Sequence, residues 1–301
     1  MEQGARAYQQ AVQVLPQRLR REALCLSPAE QARAEELRLR AGWPMTVVFP
    51  EGERPLGERP VEPGELEQLV EIASHASLHA VLDQLRRGYL TCPGGHRLGL
   101  CGTAHLQEGA IANLRPLSSA SLRVARQVQG AARSVLDQLC PGGRLESTLI
   151  LAPPGLGKTT LLRDLVRLVS EGEGCTPLRV SVADERGEIA ALCNGAPQLE
   201  VGRRTDVVEG CPKAQGLLLL LRAMNPQVLA ADEITAPEDV AAFRMAAGCG
   251  AVLLATAHGA AQEDLRRRPL YRALLEEHIF RWLVRIRRTG GGRQYLIEEL
   301  R

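Results

Sequence analysis

Between the continuous apolar run Thr148–Leu151 and a stretch of helical period over Thr159–Leu168 lies Ala152-Pro153-Pro154-Gly155-Leu156-Gly157-Lys158-Thr159. The segment fits the P-loop pattern: a small residue, four variable positions, then Gly-Lys-Ser/Thr. A run that is apolar at every position reads as a strand buried on both faces. A glycine-rich turn that delivers such a strand into a helix N-terminus can wrap successive backbone N–H groups around a phosphate. In that arrangement Lys158 reaches the β- and γ-phosphates, and the Thr159 hydroxyl ligates Mg²⁺. Pro153, Pro154, Gly155, Leu156, Gly157, Lys158, Thr159 and Thr160 are therefore the expected nucleotide-binding residues. A Pro/Gly turn that only resembles this loop is the alternative, and the strand before and helix after it argue against that.

Phosphoryl transfer from such a loop calls for a carboxylate at the end of another buried strand. Val228–Ala231 followed by Asp232-Glu233 supplies one. Asp232 is expected to hold Mg²⁺ through its water shell, and Glu233 to orient and deprotonate the attacking water. A helix N-terminus decorated with acids would carry the same residues for its dipole alone. A second acidic strand end, Asp184-Glu185-Arg186-Gly187, matches the D-x-x-G switch of GTPases, but the chain has no N-K-x-D element to read guanine. In RecA-like motors a Glu on the strand after the P-loop helix polarises the water. Glu185 is thus a second candidate base, or else a simple ion-pair partner. Thr256-Ala257-His258-Gly259 ends a third apolar strand, which makes His258 either a γ-phosphate sensor or a structural histidine. The L-S-G-G-Q signature of ABC ATPases is missing. Arg203 and Arg204, with Arg222 and Arg281 as further choices, could supply an arginine finger to a neighbouring subunit of a ring.

After residue 145 strands and helices alternate, the pattern of a parallel α/β sheet. The expected fold is α/β: a RecA-like P-loop NTPase core over residues 145–301, with a smaller N-terminal α+β domain over residues 1–140. Pro141-Gly142-Gly143 reads as the linker. Within the N-terminal part, Ser27-Pro28-Ala29-Glu30 predicts a capping box opening a short helix. Glu51–Gly64, rich in Pro, Gly and Glu, predicts a loop. Leu66–Ile72 and Leu78–Leu85 have helical spacing. Tyr89–Thr91, Arg97–Cys101 and Ala104–Leu106 predict a β-meander, with Leu122–Ala125 a separate short strand. In the core, Asp264–His278 predicts one helical stretch, and Trp282–Arg287 with Gln294–Ile297 a closing hairpin.

The 37 basic and 35 acidic side chains leave a net charge of +2, and aromatics make up 3% of the chain. Neither a global basic field nor stacking platforms are available, which argues against a nucleic-acid partner. The polar start Met1–Gln10 lacks the apolar core of a signal peptide, and Leu217–Leu221 is too short to span a bilayer. A cytoplasmic protein is expected, with peripheral docking at the inner face of a membrane left open. The eight cysteines form no C-x-x-C pair and read as reduced. Cys92, His96, Cys101 and His105 have a spacing zinc could use, but the Pro93-Gly94-Gly95 turn favours a plain hairpin over a metal site.

Three further segments carry a resemblance: Ala183–Ala190, Gly202-Arg203-Arg204-Thr205-Asp206-Val207, and Arg222-Ala223-Met224-Asn225-Pro226-Gln227. Together with Gly88-Tyr89-Leu90-Thr91 and Gly94-Gly95-His96-Arg97, they resemble the stage III sporulation protein AA family over nearly the whole chain. That family is similar to type II/IV secretion ATPases, whose acidic box, Walker B segment and His box would fall at Asp184–Glu185, Asp232–Glu233 and His258. The resemblance implies an ATP- and Mg²⁺-dependent homo-oligomeric ring, a hexamer by analogy, on the cytoplasmic face of a membrane. It would energise a channel complex of membrane proteins between mother cell and forespore. A nucleic-acid-associated ATPase, or a nucleotide-gated scaffold with little turnover, are the alternatives. Ala152 stands where the usual P-loop begins with Gly, and Asp232-Glu233 where secretion ATPases carry Gly-Glu.

Overall fold

The computed structural model describes residues 2–74, 82–290 and 292–300, and the chain divides into two units. The first comprises Met1–Arg126 with Leu192–Gln198, the second Gln127–Ala191 with Leu199–Arg301. The segment Leu78–Leu85, expected to be helical, lies largely outside the described residues.

In the first unit α1 (Glu2–Ala11), α2 (Gln17–Leu24) and α3 (Pro28–Arg33) precede the strands β1 (Glu36–Arg40), β2 (Pro44–Phe49) and β3 (Gly52–Pro60). Then come α4 (Pro63–Ala73), α5 (Leu82–Arg86), β4 (Tyr89–Cys92), β5 (His96–Gln107) and β6 (Ala110–Arg123). The strands pair antiparallel in the order β3-β2-β1-β6-β5-β4. Period-2 alternation sends Leu37, Leu39, Met45 and Val47 to one face, where they meet Tyr8, Leu15 and Leu19 of the helical layer in one core. The capping box of α3 is present: the Glu30 N–H donates to Ser27 Oγ, and the Ser27 N–H to Glu30 Oε2 at 2.9 Å.

Two expectations for this unit need correction. Gly52–Pro60 is a strand rather than a loop. It occupies the sheet edge, where Pro and charged residues are tolerated because one row of backbone groups needs no partner. The anticipated meander is one long hairpin: β5 runs unbroken through Arg97–Leu106, and Leu122 and Arg123 end β6. Register shifts around Gly102 account for the apparent break. The hairpin expected at Pro93-Gly94-Gly95 is present, and the four residues whose spacing zinc could use are separated along it. Cys92 and His96 are buried partners across the turn, Cys101 and His105 are exposed, and nine extended residues put His96 and His105 about 30 Å apart.

The second unit opens with α6 (Arg133–Leu139), which the sequence assigns to the N-terminal part. The Ala132 N–H ahead of this helix donates to the buried Asp164 carboxylate at 2.8 Å. Next come β7 (Thr148–Ala152), α7 (Lys158–Glu171) and β8 (Val180–Asp184). A two-strand excursion, β9 (Leu192–Cys193) and β10 (Ala196–Pro197), belongs to the first unit, where the Gly94 N–H donates to Gln198 Oε1. The chain continues through β11 (Thr205–Glu209), α8 (Lys213–Ala223), β12 (Val228–Ala231), α9 (Pro237–Gly248) and β13 (Val252–His258). It ends with α10 (Gln262–Arg267), α11 (Pro269–Glu276), β14 (Trp282–Thr289) and β15 (Gly292–Glu299). Pro269 splits what the spacing predicts as a single helix, because it lacks the N–H that would continue α10.

The sheet order is β11-β8-β12-β13-β7-β14-β15, with every neighbouring pair parallel except β14 and β15. β7, β8 and β12 are buried at every position, as their apolar runs require. β11 was not anticipated: its polar Thr205, Asp206 and Glu209, with no position fully buried, suit an edge strand. Parallel strands bring all their C-terminal ends to one edge, and that edge carries the expected site residues Lys158, Asp232, Glu233 and His258.

Candidate functional site

Four loops leave that edge side by side, after β7, β8, β12 and β13. The loop after β7 turns through Gly155 and Gly157, at φ of +76° and +93°, values that glycine adopts without strain. It delivers the chain into α7, whose first residue is Lys158. The Lys158 ammonium donates to the carbonyls of Ala152 (2.9 Å) and Pro153 (3.3 Å) and to His258 Nδ1 (2.8 Å). All three acceptors are neutral, so no carboxylate in contact cancels the charge. Burial pushes the Lys158 pKa down, and the nearby Glu233 and Asp232 carboxylates oppose that shift.

Asp232 follows β12 directly and is held from two sides. The Thr159 hydroxyl donates to its Oδ2 at 2.8 Å, and the Thr256 hydroxyl of β13 to its Oδ1 at 2.6 Å. The hydroxyl of α7 and this carboxylate thus lie together although 73 positions separate them. The Glu233 N–H bonds both Asp232 Oδ1 (3.0 Å) and Thr256 Oγ1 (2.9 Å). That grip holds Glu233 at a φ of +24°, sparsely populated for a residue with a Cβ. Its carboxylate lies 2.6 Å from His258 Nε2. With Nδ1 accepting from Lys158, the proton is assigned to Nε2, and His258 links lysine to glutamate.

The β8 end divides its two carboxylates between different tasks. Asp184, 1% exposed, accepts the N–H groups of Glu188, Ile189 and Ala190 at 2.8–3.0 Å. Burial pushes its pKa up, and these backbone donors counter the shift. Its oxygens are committed to shaping the loop, together with Arg163, whose Nε donates to the Ile189 carbonyl at 2.6 Å. Glu185 is half-exposed and lines the same small cleft as Asp232 and Glu233, 3.7 Å from the Lys213 ammonium.

Sequence reasoning missed Thr256, Lys213 and Arg163. Thr256 could have been found as the one polar side chain inside an apolar run. Lys213, only 5% exposed, also lies 3.7 Å from Asp239 and donates to the Glu233 carbonyl. Nothing local in the sequence marks it.

Arg203 and Arg204 are not part of this constellation. They precede β11, and the Arg204 carbonyl accepts from the Val180 N–H at the start of β8, so both lie at the opposite sheet edge. Arg203 pairs with Glu171 at 2.8 Å, and Arg204 donates to the Ser170 carbonyl. These partners end α7, thirteen residues or about 20 Å from Lys158. Neither arginine can reach Lys158 within this chain.

Comparison with known proteins agrees with this architecture. Over 94% of this chain and 80% of the other, the fold is similar to the Legionella pneumophila ATPase DotB, with a TM-score of 0.59 at 18% identity. The pilus retraction motor PilT, solved with bound ADP, matches over 89% of this chain and 80% of its own, with a TM-score of 0.61 at 18% identity. At such identities the likeness shows the fold alone, a RecA-like α/β core preceded by a smaller domain. Sequence similarity reaches further. Stage III sporulation protein AA of Bacillus subtilis (strain 168) is 42% identical over 221 residues, 73% of this chain and 72% of that protein. A profile of the family described as "Sporulation stage III, protein AA" matches residues 5–297, and the chain therefore belongs to that family.

Proposed function

We propose that this chain binds ATP at Pro153–Thr160 and hydrolyses it, acting as a ring-forming motor of the sporulation machinery. The observation that carries the reading is the 2.8 Å contact between the Thr159 hydroxyl and the Asp232 carboxylate, directly beside the Lys158 ammonium. Two hard oxygen donors next to a phosphate-reaching lysine suit Mg²⁺. Thr159 and Asp232 would hold the ion, Asp232 through its water shell, and the ion when bound offsets charge on the β- and γ-phosphate oxygens. The P-loop N–H groups at the head of α7 bind the phosphates, and Lys158 leaves its neutral acceptors to pair with them. Glu233 takes the proton of the attacking water. His258 contacts Lys158 and Glu233 at once, so it couples phosphate arrival to the base. Glu185 and Lys213 orient the water from the far side of the cleft.

The sporulation family supports a role at a channel complex of membrane proteins between mother cell and forespore, and the DotB- and PilT-like fold supports a ring, a hexamer in our reading. Among the described residues no helix is long and apolar enough to cross a membrane. The family resemblance is what supports a ring at the cytoplasmic face, on a membrane partner.

Lys158→Ala tests the site directly. It is expected to abolish binding of a fluorescent ATP analogue while the melting temperature holds, and unchanged affinity would remove the P-loop reading. Wild-type protein that binds tightly with negligible turnover would instead identify a nucleotide-gated scaffold.

A further inference from the structure

We infer that the groove on the β14 side of the P-loop receives the nucleoside end of the nucleotide. Arg293 is the cation at the phosphate–sugar junction, and Tyr295 is the wall against the base. This rests on the nucleotide-binding reading above and adds to it the determinant of nucleoside recognition.

Three observations converge. The first is position. β7 has β13 on one flank and β14 on the other. Asp232, Glu233 and His258 all belong to the β12–β13 flank, so a triphosphate with its γ end there extends its α end and sugar toward β14. A groove lies at that place, lined by Gly130, Ala131, Gly155, Leu156, Arg293 and Tyr295.

The second is the contact between Arg293 and the loop itself. A methyl group built on Gly157 would lie 3.1 Å from Arg293 Cζ and 3.3 Å from Nε. The guanidinium therefore rests against the phosphate-binding backbone, although β15 follows that loop by more than a hundred residues.

The third is charge. Arg288 and Arg293 are direct cross-strand partners in the β14–β15 hairpin, and Arg288 lines the same groove. Both are exposed, and neither forms an ion pair among the described residues. Like charges directly opposite each other in a sheet are unfavourable unless an anion lies between them. Tyr295, half-buried, stands two residues on from Arg293 and so on the same face as the pair. A tyrosine ring accepts a flat base in offset stacking. The small residues Gly130, Ala131 and Gly155 leave room for the sugar.

The test compares equilibrium binding of ATP and of inorganic tripolyphosphate, each with Mg²⁺, across variants of the full chain. Tyr295→Ala is expected to weaken ATP about tenfold, the worth of one base–aromatic stack, and to leave tripolyphosphate unchanged. Arg293→Ala should weaken ATP by a similar factor, and Arg293→Lys should recover part of it. Arg293 is exposed, so its variants keep the fold and carry the test should Tyr295→Ala unfold. Lys158→Ala should lose both ligands. If Tyr295→Ala and Arg293→Ala bind ATP as wild type does while Lys158→Ala loses it, the nucleoside lies elsewhere and the P-loop reading survives alone. If folded wild-type protein binds neither ligand, the nucleotide reading falls and this inference with it.

Discussion

Glu233 shows how a single residue is prepared by its surroundings. Its backbone sits at φ +24°, clamped by Asp232, Thr256 and Lys213, and its carboxylate meets His258. A strained conformation at a strand end persists only where neighbours over-determine it. Glu185 has one long contact with Lys213 and stays half-exposed. We therefore propose Glu233, the carboxylate held in a fixed place, as the base. Glu233→Gln should therefore keep ATP binding and lose about 10²–10⁴-fold in turnover, the usual worth of a catalytic base. Steady-state phosphate release on Glu233→Gln and Glu185→Gln decides between them: a larger loss in Glu185→Gln would move the base to β8. Asp184 has the opposite character, since its oxygens are spent on three backbone donors. Asp184→Asn turns an acceptor into a donor facing those N–H groups and should cost about 1–3 kcal/mol of stability. Thermal unfolding reads this, and a variant as stable as wild type would free Asp184 for another role.

At the scale of elements, β5 and β6 pair over their full length only because Gly102 has no side chain. A Cβ there would lie 2.4 Å from the Pro116 carbonyl oxygen, a backbone atom with no freedom to move aside. Gly102→Ala should open the distal half of this hairpin, seen as faster amide exchange over residues 103–116 with the proximal half still protected. His96, at the start of β5, tunes the same unit by pH. Its Nδ1 accepts the Ala125 N–H at 3.0 Å, and burial pushes its pKa down to about 4 from the ordinary 6.5. The folded state binds this proton more weakly than the unfolded chain. The stability that neutral His96 contributes is thus complete above pH 6.5 and is lost as pH falls through the window toward 4. The loss approaches about 1.4 kcal/mol per pH unit within it. Unfolding of wild type and His96→Gln across pH 4–7 should show a shallower fall in the variant. Parallel curves would mean that His96 does not titrate there.

For the whole molecule the open issue is assembly. Arg203 and Arg204 emerge at the sheet edge opposite the P-loop, so they can act as fingers only on a neighbouring subunit. Such a finger contributes about 10³–10⁵ in rate, which would leave an isolated subunit nearly silent. Turnover should then rise more than linearly with protein concentration. A mixture of Arg203→Ala/Arg204→Ala protein with Glu233→Gln protein should recover part of the activity that each lacks alone. A mixture that co-assembles and stays inactive would exclude these two arginines, and turnover proportional to concentration down to the monomer would exclude the ring requirement.

What the sequence determined by itself is whatever depends on neighbours along the chain. The P-loop is legible because Gly155, Gly157, Lys158 and Thr159 act through one turn and the helix it opens. The acidic strand ends are legible because an apolar run announces where a buried parallel strand stops. From these the α/β core, and Lys158, Thr159, Asp232 and Glu233 as one group, could be anticipated. Tertiary structure decided what depends on which strands are neighbours. β12 lies beside β13, so Thr256 binds Asp232 and His258 bridges Lys158 to Glu233. β11 runs alongside β8, which carries Arg203 and Arg204 to the wrong edge for their own site. Gly52–Pro60 looks like a loop by composition and becomes a strand because an edge position forgives its prolines. Arg293 reaches Gly157 only because β14 pairs with β7, a proximity that no spacing along the chain encodes.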